Sequence, residues 1–263
     1  MSNISKLAYV DPSARLGKDV TVYPFAYIEA DVEIGDGCVV YPYASILNGT
    51  RMGRNNKVYQ GAIIGAEPQD FRWNGEQTYC YIGNDNVIRE QVIINRGIKP
   101  EGGTRIGDGC FIMAGSHIGH DSVIKGPGVL GNGVKIAGGA TVEANTVLSS
   151  NAIIHENAHV GEWVLVKGGT RIGSNVPPYT IIAHNPAVFY GVNSHIMKKK
   201  GFSEEDIDAA AKAYRHLYQT QTSVFNALRR IESDIEDTPL RRNILDFISG
   251  ANLRIVGVNQ YDY

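Results

Sequence analysis

Hydrophobic residues recur at every sixth position of the chain from Val10 to Ile172. Of the 28 positions in this series, all but Asp70, Glu76 and Pro100 hold an aliphatic residue or methionine, which leaves 25 that fit. The residue four positions later is mostly small, as at Ala14, Ala26, Cys38, Ala44, Thr50, Ala62, Cys110, Ser116, Ser122, Ala140, Thr146, Ala152, Ala158 and Thr170. Large aliphatic and small side chains therefore share one period of six along most of the chain.

A period of six fits neither an amphipathic helix, which repeats about every 3.6 residues, nor a single strand, which repeats every two. It is typical of a chain that forms one short strand, turns a corner and repeats. Three such hexapeptides close a triangular coil, with the aliphatic side chains inside and the small ones at the narrow corners. Successive coils stack at the strand spacing of about 4.8 Å. The pattern therefore predicts an all-β solenoid, a parallel β-helix.

Two segments interrupt the period, at residues 65–81 and 97–104. Both are polar and rich in glycine or proline, so they are predicted to be loops on the outside of the β-helix. Long excursions from a regular solenoid are more often functional than accidental. We therefore expect these two loops to contribute to a site.

The period ends near a pair of prolines, and helical signals follow it. Ser203 precedes three acidic residues, which is typical of a helix N-terminus. Thr222 is predicted to cap a second helix, and Pro239 to lie in the first turn of a third. The chain is therefore predicted to have two domains, a β-helix with its two loops over residues 1–185 and a helical domain over residues 186–263.

The composition narrows the class of protein. The net charge of −2 excludes nucleic-acid binding driven by bulk charge. Cys38, Cys80 and Cys110 lack the paired spacing of a metal site, and we expect them to be buried small residues in a reducing compartment. The first residues lack the apolar core of a signal peptide, and no apolar run is long enough to span a bilayer. We therefore expect a cytoplasmic protein without membrane insertion.

The repeat also predicts which polar side chains lie together on the outside. Three inward residues eighteen positions apart are expected on one face of successive coils: Ile118, Ile136 and Ile154. The residues two positions after them are predicted to form an outward column: His120, Gly138 and Glu156. His117 and His155 flank the same inward positions, so they are expected on that face. The sequence therefore predicts a cluster of histidines around a glycine gap.

Three interpretations of this cluster are open. The histidines can be ordinary polar residues of a solenoid surface. They could bind zinc, since some β-helix enzymes are carbonic anhydrases with three histidine ligands, but the spacing of His155 and His159 does not match that pattern. One of them could act as a general base, to which imidazole is suited near neutral pH. We expect no metal.

Five short motifs, taken in order along the chain, resemble one enzyme family. They are Gln69-Asp70-Phe71-Arg72, His117-Ile118-Gly119-His120-Asp121, Pro177-Pro178-Tyr179, Gly191-Val192-Asn193 and Lys199-Lys200-Gly201-Phe202. Together they are similar to the UDP-N-acetylglucosamine O-acyltransferases, which open lipid A biosynthesis. The resemblance covers essentially the whole chain. It implies a left-handed parallel β-helix, against the general rule for parallel crossovers, with a C-terminal α-helical domain.

The resemblance also implies a reaction. Enzymes of this family transfer a long (R)-3-hydroxyacyl chain from acyl carrier protein to the 3-hydroxyl of UDP-N-acetylglucosamine. They need no cofactor, because the acyl donor is carried on the phosphopantetheine of the carrier protein. They form homotrimers with active sites between subunits. Acyl carrier protein, the sugar nucleotide and further copies of the chain are therefore the implied partners.

The resemblance assigns catalytic roles to three residues. His120 would be the general base, Asp121 would orient or charge-balance its imidazole, and the backbone N–H of Gly138 would stabilise the oxyanion. Gly138 is also expected to leave room for the reacting atoms of the substrate. Eight residues would contact the substrates: Asp70, Arg72, His117, His155, Glu156, Asn193, Lys199 and Lys200. The basic run at residues 198–200 suits an acidic carrier protein.

Four positions bear on specificity or depart from the pattern of the family. Gly168 lies where the family has its acyl-chain ruler, and a glycine there would leave the groove open for a tetradecanoyl-class or longer chain. Pro186 stands where a histidine closes the far end of that groove. Gly139 replaces another histidine and Glu156 replaces a glutamine. The three departures at Gly139, Glu156 and Pro186 are not expected to touch the general base.

Other functions of the same fold are open on the sequence alone. Related N-acyltransferases carry an N-terminal uridine-binding domain, for which a repeat that begins at Val10 leaves no room. Another hexapeptide acyltransferase of sugar nucleotides is a second alternative. A scaffold, with the helical tail used for assembly, would need none of the histidine chemistry.

Overall fold

The computed structural model describes residues 2–220 and 222–257. Most strands have two residues, because each hexapeptide uses the other four to reach the next face. In chain order the strands are β1 (Asn3–Ile4), β2 (Tyr9–Val10), β3 (Arg15–Leu16), β4 (Thr21–Val22), β5 (Tyr27–Ile28), β6 (Glu33–Ile34), β7 (Val39–Val40), β8 (Ser45–Ile46), β9 (Thr50–Met52), β10 (Lys57–Val58), β11 (Ile63–Ala66), β12 (Cys80–Ile82), β13 (Val87–Ile88), β14 (Ile93–Asn95), β15 (Thr104–Ile106), β16 (Phe111–Ile112), β17 (His117–Ile118), β18 (Val123–Ile124), β19 (Val129–Leu130), β20 (Lys135–Ile136), β21 (Thr141–Val142), β22 (Val147–Leu148), β23 (Ile153–Ile154), β24 (His159–Val160), β25 (Leu165–Val166), β26 (Arg171–Ile172), β27 (Thr180–Ala183) and β28 (Val188–Val192).

The strands form three sheets, which are the faces of a triangular prism and are called here faces A, B and C. Face A contains β1, β4, β7, β10, β13, β16, β19, β22, β25, β27 and β28; face B contains β2, β5, β8, β11, β14, β17, β20, β23 and β26; face C contains β3, β6, β9, β12, β15, β18, β21 and β24. Each strand pairs with the strand of the next coil on its own face, as where Ile118 lies beside Ile136. Among the described strands, only β28 runs antiparallel to its neighbour, β27. The predicted parallel β-helix is confirmed.

The inside of the prism is a continuous column of aliphatic side chains. Inward residues such as Ile28 and corner residues such as Ala44 are fully buried. Burying one large aliphatic side chain stabilises the fold by about 1.5–3 kcal/mol relative to leaving it exposed. The three cysteines are buried in this core, as predicted: Cys38, Cys80 and Cys110. Burial raises the pKa of the Cys80 and Cys110 thiols to about 12, so both thiols are neutral at physiological pH.

Both predicted loops leave the prism at one corner, between face B and face C. The first connects β11 to β12 and covers residues 67–79. The second connects β14 to β15 and covers residues 96–103. The predicted bounds of the two loops are therefore wrong by only one or two residues. Because the loops share a corner, their side chains can act at one place.

The loop lengths explain the three exceptions to the aliphatic period. Ile82 of β12 comes eighteen positions after Ile64 of β11, whereas one hexapeptide would place it only six positions later. Twelve residues separate Ile94 of β14 from Ile106 of β15. Each insertion is therefore a whole number of hexapeptides, and the series resumes in the same frame. The exceptions lie inside the insertions: Asp70, Glu76 and Pro100.

In the part of the chain that the structure describes, four helices follow β28: α1 (Ser194–Lys199), α2 (Glu204–Tyr218), α3 (Val224–Asp234) and α4 (Pro239–Ser249). Ser203 caps α2 and Pro239 begins α4, as predicted. The prediction of a cap at Thr222 is wrong by one residue, because the Ser223 hydroxyl accepts the backbone hydrogen bond from Asn226. The helix α1 is not predicted, since six residues are too few to show a helical period.

The helices pack against the last coils of the prism. Tyr214 of α2 is buried, and its hydroxyl donates to the Pro178 carbonyl at 2.5 Å. The Phe247 ring of α4 lies 4.7 Å from the His159 ring of β24. The predicted domain boundary at residue 185 falls in the turn between β27 and β28. No helix in the described part of the chain is both long and apolar enough to cross a membrane.

Candidate active site

Of the predicted histidine cluster, His120 lies at the corner between faces B and C, and His117 and His155 lie on face B beside it. Neighbouring strands of face B bring Ile118, Ile136 and Ile154 into register, as expected. His120 follows β17 by two residues, and its side chain is 13% exposed. The two loops and the His120 column therefore meet at one place, a cleft of about 260 Å³.

The second loop holds the His120 imidazole through Asp121. The ring Nδ1 lies 3.0 Å from Asp121 Oδ2. The Asp121 carboxylate accepts hydrogen bonds from the backbone N–H groups of Ile98, at 3.1 Å, and Gly103, at 3.2 Å. The Asp121 N–H donates to Thr104 Oγ1 at 2.9 Å. A proton on Nδ1 makes the hydrogen bond to Asp121, and Nε2 is directed away from Asp121.

The other ring nitrogen of His120 faces the first loop. Its Nε2 lies 3.2 Å from Asp70 Oδ2. Arg72 donates to the Asp70 carboxylate from its backbone N–H at 2.8 Å, from Nε at 2.9 Å and from Nη2 at 2.7 Å. These hydrogen bonds hold the pKa of Asp70 well below its usual range. Arg72 also donates to Glu156 Oε1 at 3.2 Å, so it ties the ionised Asp70 to the outward column.

Gly138 lies one coil beyond His120 and in contact with it. A Cβ atom on Gly138 would lie 2.4 Å from both Cε1 and Nε2 of the imidazole. The ring of His120 therefore packs against the space that the missing side chain of Gly138 leaves. The Gly138 N–H donates no hydrogen bond to any residue in the ranges 2–220 and 222–257. It is available to a ligand in the cleft.

The protonation of His117 follows from its partner. Asn95 Nδ2 donates to the Glu67 carbonyl at 2.5 Å, so Asn95 Oδ1 accepts from His117 Nε2 at 2.7 Å. His117 then carries its proton on Nε2 and has a free acceptor on Nδ1. Burial and the nearby charge of Lys135 lower the pKa of His117. The imidazole therefore stays neutral to a lower pH than an exposed histidine.

His155 lies on the same face as His117. Both line a cleft of about 420 Å³ on the outside of face B. Glu156 lines this cleft and the corner cleft that contains His120, so the two clefts adjoin each other at Glu156. Over the described residues, no three His, Cys, Asp or Glu side chains are arranged to hold a metal ion.

The predicted substrate contacts of the helical domain lie elsewhere. Asn193 is buried, and its Nδ2 donates to a backbone carbonyl at 2.9 Å. Lys199 ends α1. Lys200 lines a separate cleft that includes Phe111 of face A. In a triangular prism, face A is opposite the corner between faces B and C. These three residues therefore do not reach His120 of the same chain.

Gly168 and Pro186 lie near each other at one corner of the last coils. Gly168 follows β25 and Pro186 follows β27, and these strands are neighbours on face A. Both residues are exposed. His184 directly follows β27 and is also exposed. This corner therefore holds an imidazole that the sequence analysis missed.

Three further polar residues of the cleft and its surroundings were not predicted: Asn95, Lys135 and Arg171. Each is next to an inward isoleucine of face B, as His117 and His155 are. The aliphatic period could have identified all three residues, if the inserted residues of the two loops had been left out when coils were counted along the sequence.

Comparisons with known proteins agree with this geometry. A family profile described as Udp N-acetylglucosamine O-acyltransferase, domain 2, matches residues 175–256. A profile of bacterial transferase hexapeptide repeats matches residues 13–48. The match to the first profile covers most of the helical domain, and the match to the second covers the early coils.

Named relatives and solved structures match nearly the whole chain. The acyl-[acyl-carrier-protein]–UDP-N-acetylglucosamine O-acyltransferase of Myxococcus xanthus is 43% identical over 249 residues, 94% of this chain and 96% of that protein. The enzyme of the same name from Xanthomonas oryzae is 44% identical over 250 residues, 94% of this chain and 95% of that protein. The structure of a UDP-N-acetylglucosamine acyltransferase from Bacteroides fragilis is 37% identical and has a TM-score of 0.94, over 96% of this chain and 99% of that chain. On this identity and coverage, the chain belongs to the UDP-N-acetylglucosamine O-acyltransferase family.

Proposed function

We propose that this protein transfers a long (R)-3-hydroxyacyl chain from acyl carrier protein to the 3-hydroxyl of UDP-N-acetylglucosamine, the first step of lipid A biosynthesis. One observation carries the proposal. His120 presents Nε2 to the corner cleft while Asp121 holds Nδ1 at 3.0 Å, which is the arrangement of a general base. The names of the relatives supply the acyl donor and the acceptor.

The reaction needs one proton transfer and one displacement. Nε2 of His120 accepts the proton of the sugar hydroxyl. At the same time the hydroxyl oxygen attacks the thioester carbonyl carbon and forms the new C–O bond. The Gly138 N–H stabilises the negative charge on the carbonyl oxygen, and the Asp121 carboxylate stabilises the imidazolium. The C–S bond then breaks, and the imidazolium returns the proton to the departing thiolate. No covalent acyl-enzyme is needed, because the hydroxyl is itself the nucleophile.

Asp70 occupies the place that the sugar hydroxyl takes in this reaction, since its Oδ2 lies 3.2 Å from Nε2. The incoming sugar therefore displaces this contact, and Asp70 becomes an acceptor for a sugar hydroxyl. Its lowered pKa keeps it ionised at neutral pH, so it accepts hydrogen bonds and donates no proton. Arg72, His117, His155 and Glu156 bind the rest of the sugar nucleotide.

Mass spectrometry of the products tests the proposed function. The purified protein is incubated with UDP-N-acetylglucosamine and a panel of hydroxyacyl carrier proteins of different chain length. We expect an O-linked monoacyl product from donors of tetradecanoyl length or longer, because Gly168 leaves the acyl groove open. The absence of an acylated sugar nucleotide with every donor would contradict the proposal.

Filling the groove should shorten the preferred acyl chain. Gly168→Met adds a long side chain at a position where a Cβ atom meets only the Ser150 carbonyl, at 3.1 Å. Each buried methylene contributes about 0.8 kcal/mol, so preference between donors two carbons apart should change roughly tenfold toward the shorter chain. Competition between the two donors measures this ratio. The control is Gly191→Met, where no atom lies within 4 Å of the Cβ position. An unchanged preference in Gly168→Met would mean that the ruler lies elsewhere.

We infer that the complete site forms between two copies of the chain in a homotrimer. His120 lies at the corner between faces B and C, whereas Asn193, Lys199 and Lys200 lie on the side of face A. A neighbouring copy with its face A against this corner supplies the second set. Its lysines add positive charge beside the cleft, which attracts an acidic carrier protein.

A mixture of two impaired variants tests the shared site. His120→Ala lacks the general base, and Lys200→Ala lacks the contact that the neighbouring copy supplies. In a random mixed trimer, about one quarter of the interfaces combine an intact His120 with an intact Lys200. Activity should therefore recover to a substantial fraction of the wild-type value when the two chains are co-expressed. Mixed trimers without recovered activity would show that the two residues do not serve one site.

A further inference from the structure

The outside of face B carries a column of basic side chains beside the corner site. His117, Lys135, Ile153 and Arg171 precede the inward residues of four successive coils and lie in register with one another. Lys135 and Arg171 are two coils apart, about 10 Å at the usual strand spacing. Two long cationic side chains at this separation can reach one ligand between them.

The same column on face C is arranged differently. There Glu33 lies between Arg15 and Arg51, at 2.5 Å from Arg15 Nη2 and 3.4 Å from Arg51 Nε. A carboxylate thus alternates with the two guanidinium groups, and Asp31 supplies a second carboxylate at 2.5 Å from Arg51 Nη2. On this part of face C, each outward guanidinium group therefore has a carboxylate partner.

The basic residues of face B have no such partner. Lys135 Nζ donates to the backbone carbonyl of Gly115 at 2.6 Å. Arg171 forms no ion pair within the described part of the chain. The only carboxylate that lines the face B cleft is Glu156, and Glu156 already pairs with Arg72. The cleft therefore has an excess of positive charge.

The excess charge lies within reach of the reacting centre. The face B cleft, of about 420 Å³, adjoins the cleft that contains His120 and Gly138, and Glu156 lines both. Ala137 of the face B cleft directly precedes Gly138. A substrate that reacts at His120 can therefore extend along the outside of face B toward Lys135 and Arg171.

We propose that Lys135 and Arg171 bind a phosphate group of one of the two substrates. The inference rests on the proposed function, in which both substrates carry phosphate: the diphosphate of the sugar nucleotide and the phosphodiester of the carrier arm. Guanidinium and ammonium groups are the side chains best suited to phosphate. The neutral His117 adds a donor and an acceptor to the same cleft without adding charge, and His155 lines the cleft beside it.

Steady-state kinetics of Lys135→Ala, Arg171→Ala and the double variant test the proposal. Loss of one charged hydrogen bond is worth about 10- to 100-fold in affinity. KM for one substrate should rise by this factor with little change in kcat. A rise for UDP-N-acetylglucosamine assigns the diphosphate as the ligand, and a rise for the acyl donor assigns the phosphodiester. Unchanged KM values for both substrates would overturn the proposal.

Lys57→Ala is the matched control. Lys57 occupies the same position of its hexapeptide, before the inward Val58, but lies on face A and is also exposed. Both KM values should remain at the wild-type level in this variant. The trimeric state and thermal midpoint of all variants show whether a change in KM reflects binding or assembly.

A binding experiment separates this proposal from the proposed function. Calorimetric titration of the purified full chain with inorganic pyrophosphate needs no turnover. We expect binding in the wild type and in Lys57→Ala, and at least tenfold weaker binding in the double variant. If the protein binds pyrophosphate in this way but shows no acyltransferase activity, the phosphate site is supported and the proposed reaction is contradicted. Equal binding in all three proteins, or no binding in the wild type, would overturn the phosphate site.

Discussion

Replacing His120 by alanine should lower kcat by about 10² to 10⁴-fold, the range for a positioned proton transfer. The fold should survive, because the imidazole contacts Asp70, Asp121 and Gly138 outside the aliphatic core. Initial rates at saturating concentrations of both substrates measure the change in kcat. The thermal midpoint of the same preparation shows whether the protein is folded.

His159→Ala is the control for this variant. The His159 imidazole also lies beside a carboxylate, with Nε2 at 2.8 Å from Glu143 Oε1, but its strand belongs to face C. Turnover by the control should remain near the wild-type rate. Near-normal turnover by His120→Ala would overturn the proposed mechanism. A large drop in its thermal midpoint would instead assign His120 to the fold.

A single methyl group at Gly138 should lower kcat by about 10²-fold, because a displacement of about 1 Å at a reacting group can cost this much. In Gly138→Ala the new Cβ would lie 2.4 Å from Cε1 and Nε2 of His120, so the ring must turn away. The backbone of Gly138 is not in the left-handed region, so alanine introduces no backbone strain. Rates and the imidazole NMR resonances of His120 should therefore change together, with little change in the thermal midpoint.

Gly173→Ala is the control for the added methyl group. No atom lies within 4 Å of a Cβ at Gly173, and its backbone is likewise outside the left-handed region. This variant should retain both the wild-type rate and the His120 resonances. If Gly138→Ala kept its rate although the resonances moved, the position of the ring observed here would not be the one that catalyses.

The prism and its corners are predictable from the sequence, because the aliphatic residue that defines each strand recurs at every sixth position. One inward aliphatic residue in every hexapeptide is enough to fix the face on which each neighbour lies. For this reason the register of Ile118, Ile136 and Ile154, and with it the placement of His120 beside Gly138, follows from counting. The sequence does not decide which residue caps α3, because Thr222 and Ser223 have similar capping ability.

The contacts of the loops are not predictable in this way, because the loops have no period. Nothing in the sequence indicates that Asp70 Oδ2 lies 3.2 Å from His120 Nε2, or that Arg72 joins Asp70 to Glu156. The position of Asn95 beside His117 was hidden by the inserted residues of the second loop, which lies between them in the sequence. The separation of Lys200 from His120 follows only from knowing which face α1 packs against.

The docking of the helices on one end of the prism gives the molecule unequal ends. In a solenoid each coil is stabilised mainly by its two neighbours, so unfolding begins at an unprotected end. Tyr214 and Phe247 cover the last coils, whereas Asn3 and Ile4 of β1 are exposed and Leu16 is only partly buried. Unfolding therefore starts in the first coils, and several intact coils lie between these first coils and His120. The reacting groups lie in the part of the chain that opens late, and partial unfolding of the first coils leaves their geometry unchanged.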